Sequence, residues 1–240
     1  MKKGFVAITG ASSGIGEATA KLFMEKGHNV LVIARREDRL AQFEGEHMMK
    51  AAIDVTDKEA LNQAIQVAEE KFGPVEAIVN NAGRMLLGDI TTQDASEWKD
   101  MYDVNVLGLL NGMQAVLPSM IERKTGTIIN ISSIAGKKTF PDHAAYVGTK
   151  FAVHSMSENV REEVSKHNVR VMTIAPGVVE TELLSHTSDD TIKDNYNEWK
   201  QSINGGLNPN TIAETIYFAF SQPQHINIRE IALAPTQQQV

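Results

Sequence analysis

The chain of 240 residues contains no cysteine. That excludes a disulfide framework, a zinc–thiolate centre and a thiol nucleophile, although it fixes no compartment by itself. Long apolar runs are missing too, and no segment approaches the uninterrupted length that a membrane span needs. The opening "MKKGFVAITG" carries two lysines, but its apolar run is about four residues long and stops at a glycine, too short for a secretory h-region. Positive charge is scarce: 23 Lys and Arg stand against 30 Asp and Glu, giving a net charge of −7 and an isoelectric point of about 5.5. Without a long basic run, the chain offers no footprint for nucleic acid or an anionic membrane. No repeat, low-complexity tract or Pro/Gly-rich linker divides it. Residues 1–240 are therefore expected to form one domain, in the cytoplasm, with a small molecule as partner.

What is present is a rhythm of short β-branched runs alternating with helical stretches. The runs are "FVAIT" (5–9), "NVLVIA" (29–34), "MMKAAI" (48–53), "VEAIV" (75–79), "GTIINIS" (126–132), "VRVMTIA" (169–175) and "REIALA" (229–234). Helical stretches such as 14–26, 57–71, 96–122 and 146–166 lie between them. Such alternation requires a mostly parallel sheet covered on both faces, an α/β fold. The rhythm weakens at about 181–208, where one long connection stands out as a candidate substrate lid.

"VAITGASSGIG" puts Gly10, Gly14 and Gly16 after the first strand and at the opening of a helix, together with Ser12, Ser13 and Ile15. Glycine permits a tight turn and close backbone approach to a pyrophosphate, and a helix N-terminus favours anionic phosphate. The Lys-Ser/Thr ending of a P-loop is missing, which argues against an ATPase or GTPase. At the end of the second strand, where an acidic residue usually holds the ribose of NAD, the chain has Ala34 followed by Arg35 and Arg36. A guanidinium binds a 2′-phosphate with two charge-assisted bonds, so NADP(H) is expected over NAD(H). The two arginines could instead pair with Glu37 and Asp38. Asp54, with Val55 after the third strand, is placed to accept from an adenine amino group or to cap the next helix; Thr56 and Asp57 are equal candidates for the cap.

In "AAYVGTKFAV", Tyr146 and Lys150 stand four residues apart on one helical face, with about 6 Å of rise between them. Tyr-x-x-x-Lys alone also occurs by chance on solvated helices. Taken with the glycine turn, "NNAG" at 80–83 and "PG" at 176–177, in this order, the chain resembles the short-chain dehydrogenase/reductase family from about residue 4 to 235. The resemblance implies a single Rossmann-type domain, a doubly wound, seven-stranded parallel sheet with helices on both faces. It implies four polar site residues: Tyr146, Lys150, Ser133 thirteen positions before the tyrosine, and Asn105 in "DVNVLG". Ser132 is then structural. By the same resemblance Lys150 also holds the nicotinamide ribose, and Asn105 anchors a water through which the lysine exchanges protons. Asn81, Ala82 and Gly83 would lie along the cofactor. Pro176, Gly177, Val179 and Thr181 would form the segment at the nicotinamide, with Thr181 bonded to the carboxamide.

The chemistry is coherent on its own terms. Hydride reduction of a carbonyl leaves an alkoxide, which needs a proton donor and a hydrogen bond beside the oxygen. Tyr146 can donate and Ser133 can orient. A free tyrosine titrates at about 10, and a nearby ammonium such as Lys150 would lower that value. The ending "QHINIREIALAPTQQQV" is similar to NADP-dependent 3-hydroxy acid dehydrogenases that oxidise serine or allo-threonine. A substrate carboxylate would then need a cation, and Lys137, Lys138 and His143 lie between Ser133 and Tyr146. The expected function is NADP(H)-dependent hydride transfer to a carbonyl or from a secondary alcohol, by a homotetramer or homodimer. The alternatives are a 3-ketoacyl-thioester reductase of the same family, or a non-catalytic NADP-sensing binding protein. One departure bears on the cofactor: Ser13 stands where many NADP-preferring relatives carry a basic residue.

Overall fold

The computed structural model describes residues 4–239. Seven strands form its sheet: β1 (Phe5–Thr9), β2 (Asn29–Ala34), β3 (Met48–Ala52), β4 (Val75–Asn80), β5 (Gly126–Ile131), β6 (Val169–Pro176) and β7 (Glu230–Leu233). All pairings are parallel, in the order β3-β2-β1-β4-β5-β6-β7. The expected strands are all there, with ends displaced by one residue at most. Every residue of β1, β2, β5 and β6 is buried, which is why these segments read as continuous apolar runs and not as alternations.

Helices α1 (Gly14–Glu25), α2 (Glu37–Leu40), α3 (Lys58–Phe72), α4 (Ala95–Tyr102), α5 (Gly108–Arg123), α6 (Ala144–Val164), α7 (Asp190–Ser202) and α8 (Pro209–Phe220) complete the unit. On one face of the sheet, Ala20 and Phe23 of α1 and Ile212 and Ile216 of α8 pack on Val6, Ile8, Val30 and Val32. On the other, Leu61 and Ile65 of α3, Leu109 and Met113 of α5 and Val153 of α6 cover Ala7, Leu31, Ile78 and Ile128. Neighbouring residues of β1 thus feed opposite cores, as the pleat demands. The guanidinium of Arg170 on β6 is buried and donates to Thr127 Oγ1 at 2.7 Å and to the carbonyls of Phe220 and Gln222 at 2.8 Å. It ties the end of α8 to the sheet.

One expectation needs correction. The stretch 96–122 is not one regular helix: a π-helical turn at Asp103–Leu107 separates α4 from α5. This stretch (95–123) is long and apolar enough to cross a membrane by length and composition alone, yet Leu109, Met113, Val116 and Met120 on it belong to the core. The candidate lid at 181–208 contains regular structure. A 3-10 turn at Glu182–His186 leads into α7, and the chain then returns to the sheet, where Leu207 N donates to Val178 O at 2.8 Å and Glu180 N to Leu207 O at 2.9 Å.

Because the chain turns one way from β1 to β3 and then resumes at β4 on the other side, the connections leaving β1 and β4 part at their carboxyl ends. Such a switch point opens a crevice for a ligand.

Candidate active site

A cleft of about 810 Å³ occupies that crevice. Its floor is the turn after β1, where Gly10 and Gly14 hold φ of +65° and +56°, a region that L side chains avoid. A side chain at Gly10 would come within 2.8 Å of the Ala82 backbone, and one at Gly16 would run into the Gly10 carbonyl. The turn is fastened to the end of β4: Asn81 Nδ2 donates to Thr9 O at 3.0 Å, and the Asn81 and Ala82 amides both donate to Thr9 Oγ1 at 3.0 Å. Asn81, Ala82 and Gly83 therefore form part of the wall as well as a brace for the sheet.

At the far end of the turn, Arg36 Nη2 donates to Ser12 Oγ at 3.0 Å and to Ser13 Oγ at 2.8 Å. The guanidinium thus arrives at the place where Ser13 itself lacks a base. Its Nη1 donates to Glu182 at 3.0 Å, and Arg39 donates to the other oxygen of the same carboxylate at 2.6 Å. Arg35 points elsewhere, toward Asp54 at 3.5 Å. Asp54 also accepts from Thr56 N at 2.9 Å, whereas Asp57 caps α3 by accepting from Ala60 N. Val55 packs where Gly108 leaves room, and Ile15, in the first turn of α1, lines the cleft.

The opposite wall carries the other expected residues. Ser133 caps the short turn after β5 and accepts from Ala135 N at 3.1 Å; its side chain also shares a hydrogen bond with Tyr146. Helix α6 begins two residues earlier than the sequence suggests, so Tyr146 and Lys150 sit in its first two turns, both buried. Lys150 Nζ donates to Ile131 O at 3.0 Å and lies 5.7 Å from the centre of the Tyr146 ring. The expected downward shift of the phenol is overturned here: burial pushes Tyr146 well above the ordinary tyrosine range, against the opposing Ser133 bond. Burial also lowers Lys150, to about 8. Desolvation penalises whichever form is charged, so it acts on the two groups in opposite directions.

Asn105 lies in the π-helical turn. Its Oδ1 accepts from Arg84 N at 2.7 Å, and its Nδ2 donates to Arg84 O at 2.9 Å and Thr149 Oγ1 at 3.1 Å. The amide thus clamps the strand end that carries Gly83 against α6. Ser132 takes a structural place, its Oγ within 2.8 Å of His154 Nδ1 and 3.2 Å of Lys150 O. Thr181 caps the 3-10 turn and its methyl abuts Gly14. Pro176, Gly177 and Val179 line the cleft beside it, and Val178 N donates to Gln238 Oε1 at 3.0 Å.

A family model described as short chain dehydrogenase matches residues 4–192. The chain belongs to this family. Its relatives include an uncharacterized oxidoreductase of Listeria innocua, 40% identical over 99% of this chain and 98% of that one. Another, from Staphylococcus saprophyticus, is 37% identical over the same shares. Among solved structures, the closed form of a serine dehydrogenase complexed with NADP+ superposes with a TM-score of 0.91 and 31% identity, covering 98% of this chain and 96% of that one. An alcohol dehydrogenase of Thermococcus sibiricus complexed with 5-hydroxy-NADP gives 0.85 and 26%, covering 99% and 98%. The protein is an oxidoreductase of the short-chain dehydrogenase family, and its subgroup resemblance to serine dehydrogenase agrees with the C-terminal sequence.

Several residues of this dehydrogenase site are not flagged by its motifs. Phe140, His143, Tyr196 and Trp199 form a chain of ring contacts, with centroids 5.2–6.3 Å apart, that leads from Tyr146 into α7. Tyr196 and Trp199 are three apart on one helix of the insert, a spacing visible in sequence but common on packing helices. Arg84, directly after "NNAG", lines the cleft and pairs with Asp100. Of the cations suggested for a substrate acid, Lys137 pairs with Glu230 and does not line the cleft. Burial holds His143 below the ordinary histidine range. Lys138 does line it, its ammonium 5.7 Å over the Phe140 ring.

Proposed function

We propose that the protein uses NADP(H) to interconvert a ketone and a secondary alcohol, with Tyr146 as the acid and base. The observation that carries this is the facing arrangement of one cleft: a glycine turn that no side chain could enter on one wall, and Tyr146, Ser133 and Lys150 on the other. Gly10, Gly14 and Gly16 would take the pyrophosphate, Arg36 the 2′-phosphate, and Pro176, Gly177, Val179 and Thr181 the nicotinamide. Bound NADPH supplies a hydride to the carbonyl carbon. Tyr146, kept neutral by burial, donates its proton to the oxygen as charge develops there. Ser133 holds that oxygen, and the ammonium of Lys150, beside the ring, offsets the resulting phenolate.

Phe140, Leu183, Leu184, Ile192, Tyr196 and Trp199 supply an apolar wall, which suits one apolar substituent on the carbonyl. Lys138 is the cation on that wall able to take the carboxylate of a 3-hydroxy acid. The reading extends to assembly into two or four copies: Leu107, Leu110 and Phe151 stand exposed on the long helices expected to pair.

Tyr146→Phe tests the mechanism. It should bind NADPH nearly as the parent does, while turnover in an NADPH-coupled screen of hydroxy acids and ketones falls by about 10²-fold or more. Undiminished turnover would remove the proposed acid.

A further inference from the structure

Among the described residues, Glu182 is the one acidic side chain that bonds both Arg36 and Arg39, and it gives each guanidinium a separate oxygen, at 3.0 and 2.6 Å. The three groups Ser12, Ser13 and Glu182 leave Arg36 with every nitrogen engaged. Four of its five N–H donors are therefore already committed where a phosphate would need them. A carboxylate bridging two guanidiniums is the arrangement a phosphate monoester would make with the same pair, since both anions offer more than one oxygen to the planar donor forks. Arg39 reaches this point because α2 is a single turn that projects it past Arg36, from the segment immediately after β2.

We infer that Arg39 belongs with Arg36 to the 2′-phosphate subsite, and that Glu182 is its resident anion, displaced by NADP(H) but left in place by NAD(H). This rests on the NADP(H) reading given above. Two further observations support it. All three side chains are about half exposed, so their ion pairs are weak and exchangeable. Both arginines hold the Glu182 carboxyl below the usual carboxylate range, so it is charged and would repel a phosphate that arrived beside it.

Position turns this exchange into cofactor selection. Glu182 follows Thr181 and opens the 3-10 turn that begins the 181–207 segment. A 2′-phosphate that takes the arginines frees the hinge end of the segment over the cleft; a 2′-hydroxyl leaves it pinned.

The test is the dissociation constant of NADPH and of NADH, read from cofactor fluorescence on the whole protein, for the parent, Glu182→Gln, Arg36→Ala and Arg39→Ala. Glu182→Gln keeps the shape and removes the competing charge. It should tighten NADPH by about three- to fivefold and leave NADH unchanged, with the gain shrinking at high salt. Arg39→Ala should weaken NADPH selectively. In hydrogen exchange, NADPH but not NADH should loosen the amides of residues 182–186. Glu182→Gln that weakens NADPH, or moves both cofactors equally, overturns the inference, because Glu182 would then be a support for the arginines. If Arg36→Ala and Arg39→Ala leave the NADPH-to-NADH ratio untouched, the NADP(H) reading itself falls. A ratio that drops in Arg36→Ala while Glu182→Gln changes nothing removes this inference alone.

Discussion

Tyr146 and Lys150 are one turn apart on α6, yet burial moves their proton affinities in opposite directions. The consequence for pH can be stated with its sign. Lys150 is an ammonium below about 8 and neutral above it, while Tyr146 keeps its proton throughout the range in which an assay is run. Since kcat/KM for the cofactor reports groups of the free enzyme, kcat/KM for NADPH should be level at lower pH and decline as pH rises through about 8. A profile that stays level well beyond that value would show that the lysine charge is not used. That Tyr146 and Lys150 share one helical face was legible from their spacing, and that Ser133 faces the same cleft followed from the family resemblance. Their electrostatics were not: whether an ammonium lowers a phenol or burial raises it depends on how much water the fold removes, and no local pattern encodes that. The same limit applies to Arg35 and Arg36. The pair was visible, but only the path of the chain after β2 decides that Arg36 crosses to Ser12 and Ser13 while Arg35 turns to Asp54.

Among the elements, α3 shows how a choice left open by the residues is resolved by geometry. Asp54, Thr56 and Asp57 all had capping chemistry. Asp57 takes the task because its backbone is extended and its side chain reaches the amide three residues on. Asp57→Ala should cost about 1 kcal/mol in urea-induced unfolding, and Thr56→Ala much less. An equal loss from both would mean that the Asp54–Thr56 turn, and not the helix cap, holds this corner. Strands β1, β2, β5 and β6 were legible to within a residue because burial on both faces imposes unbroken apolar runs. The break between α4 and α5 was hidden, since a π-helical turn leaves amphipathic periodicity nearly intact on either side. It nevertheless matters locally, because the turn carries Asn105, whose side-chain amide bonds both the N–H and the carbonyl of Arg84.

At the scale of the whole molecule, segments far apart in sequence are joined by polar ties that composition could not disclose. Arg170 is the clearest. Replacing it by Met would leave the Thr127 hydroxyl and the Phe220 and Gln222 carbonyls without their donor in a buried setting, and should lower stability by roughly 2–4 kcal/mol in denaturant titration. A change within a few tenths of a kcal/mol would show that other donors replace the guanidinium at once. A second long-range tie joins Gln238 to the Val178 amide, in the loop beside Gly177. That bond spans 60 residues and gives the fold an order in time as well as in space. Domains begin to form from the N-terminus during synthesis. The glycine turn, β4 and α6 can therefore assemble on a growing chain, but the loop after β6 lacks its partner until residue 238 has emerged. The cleft is finished late in translation, after α8 has brought Ile212 and Ile216 to the core they complete, and the wall beside Gly177 is the last part to close.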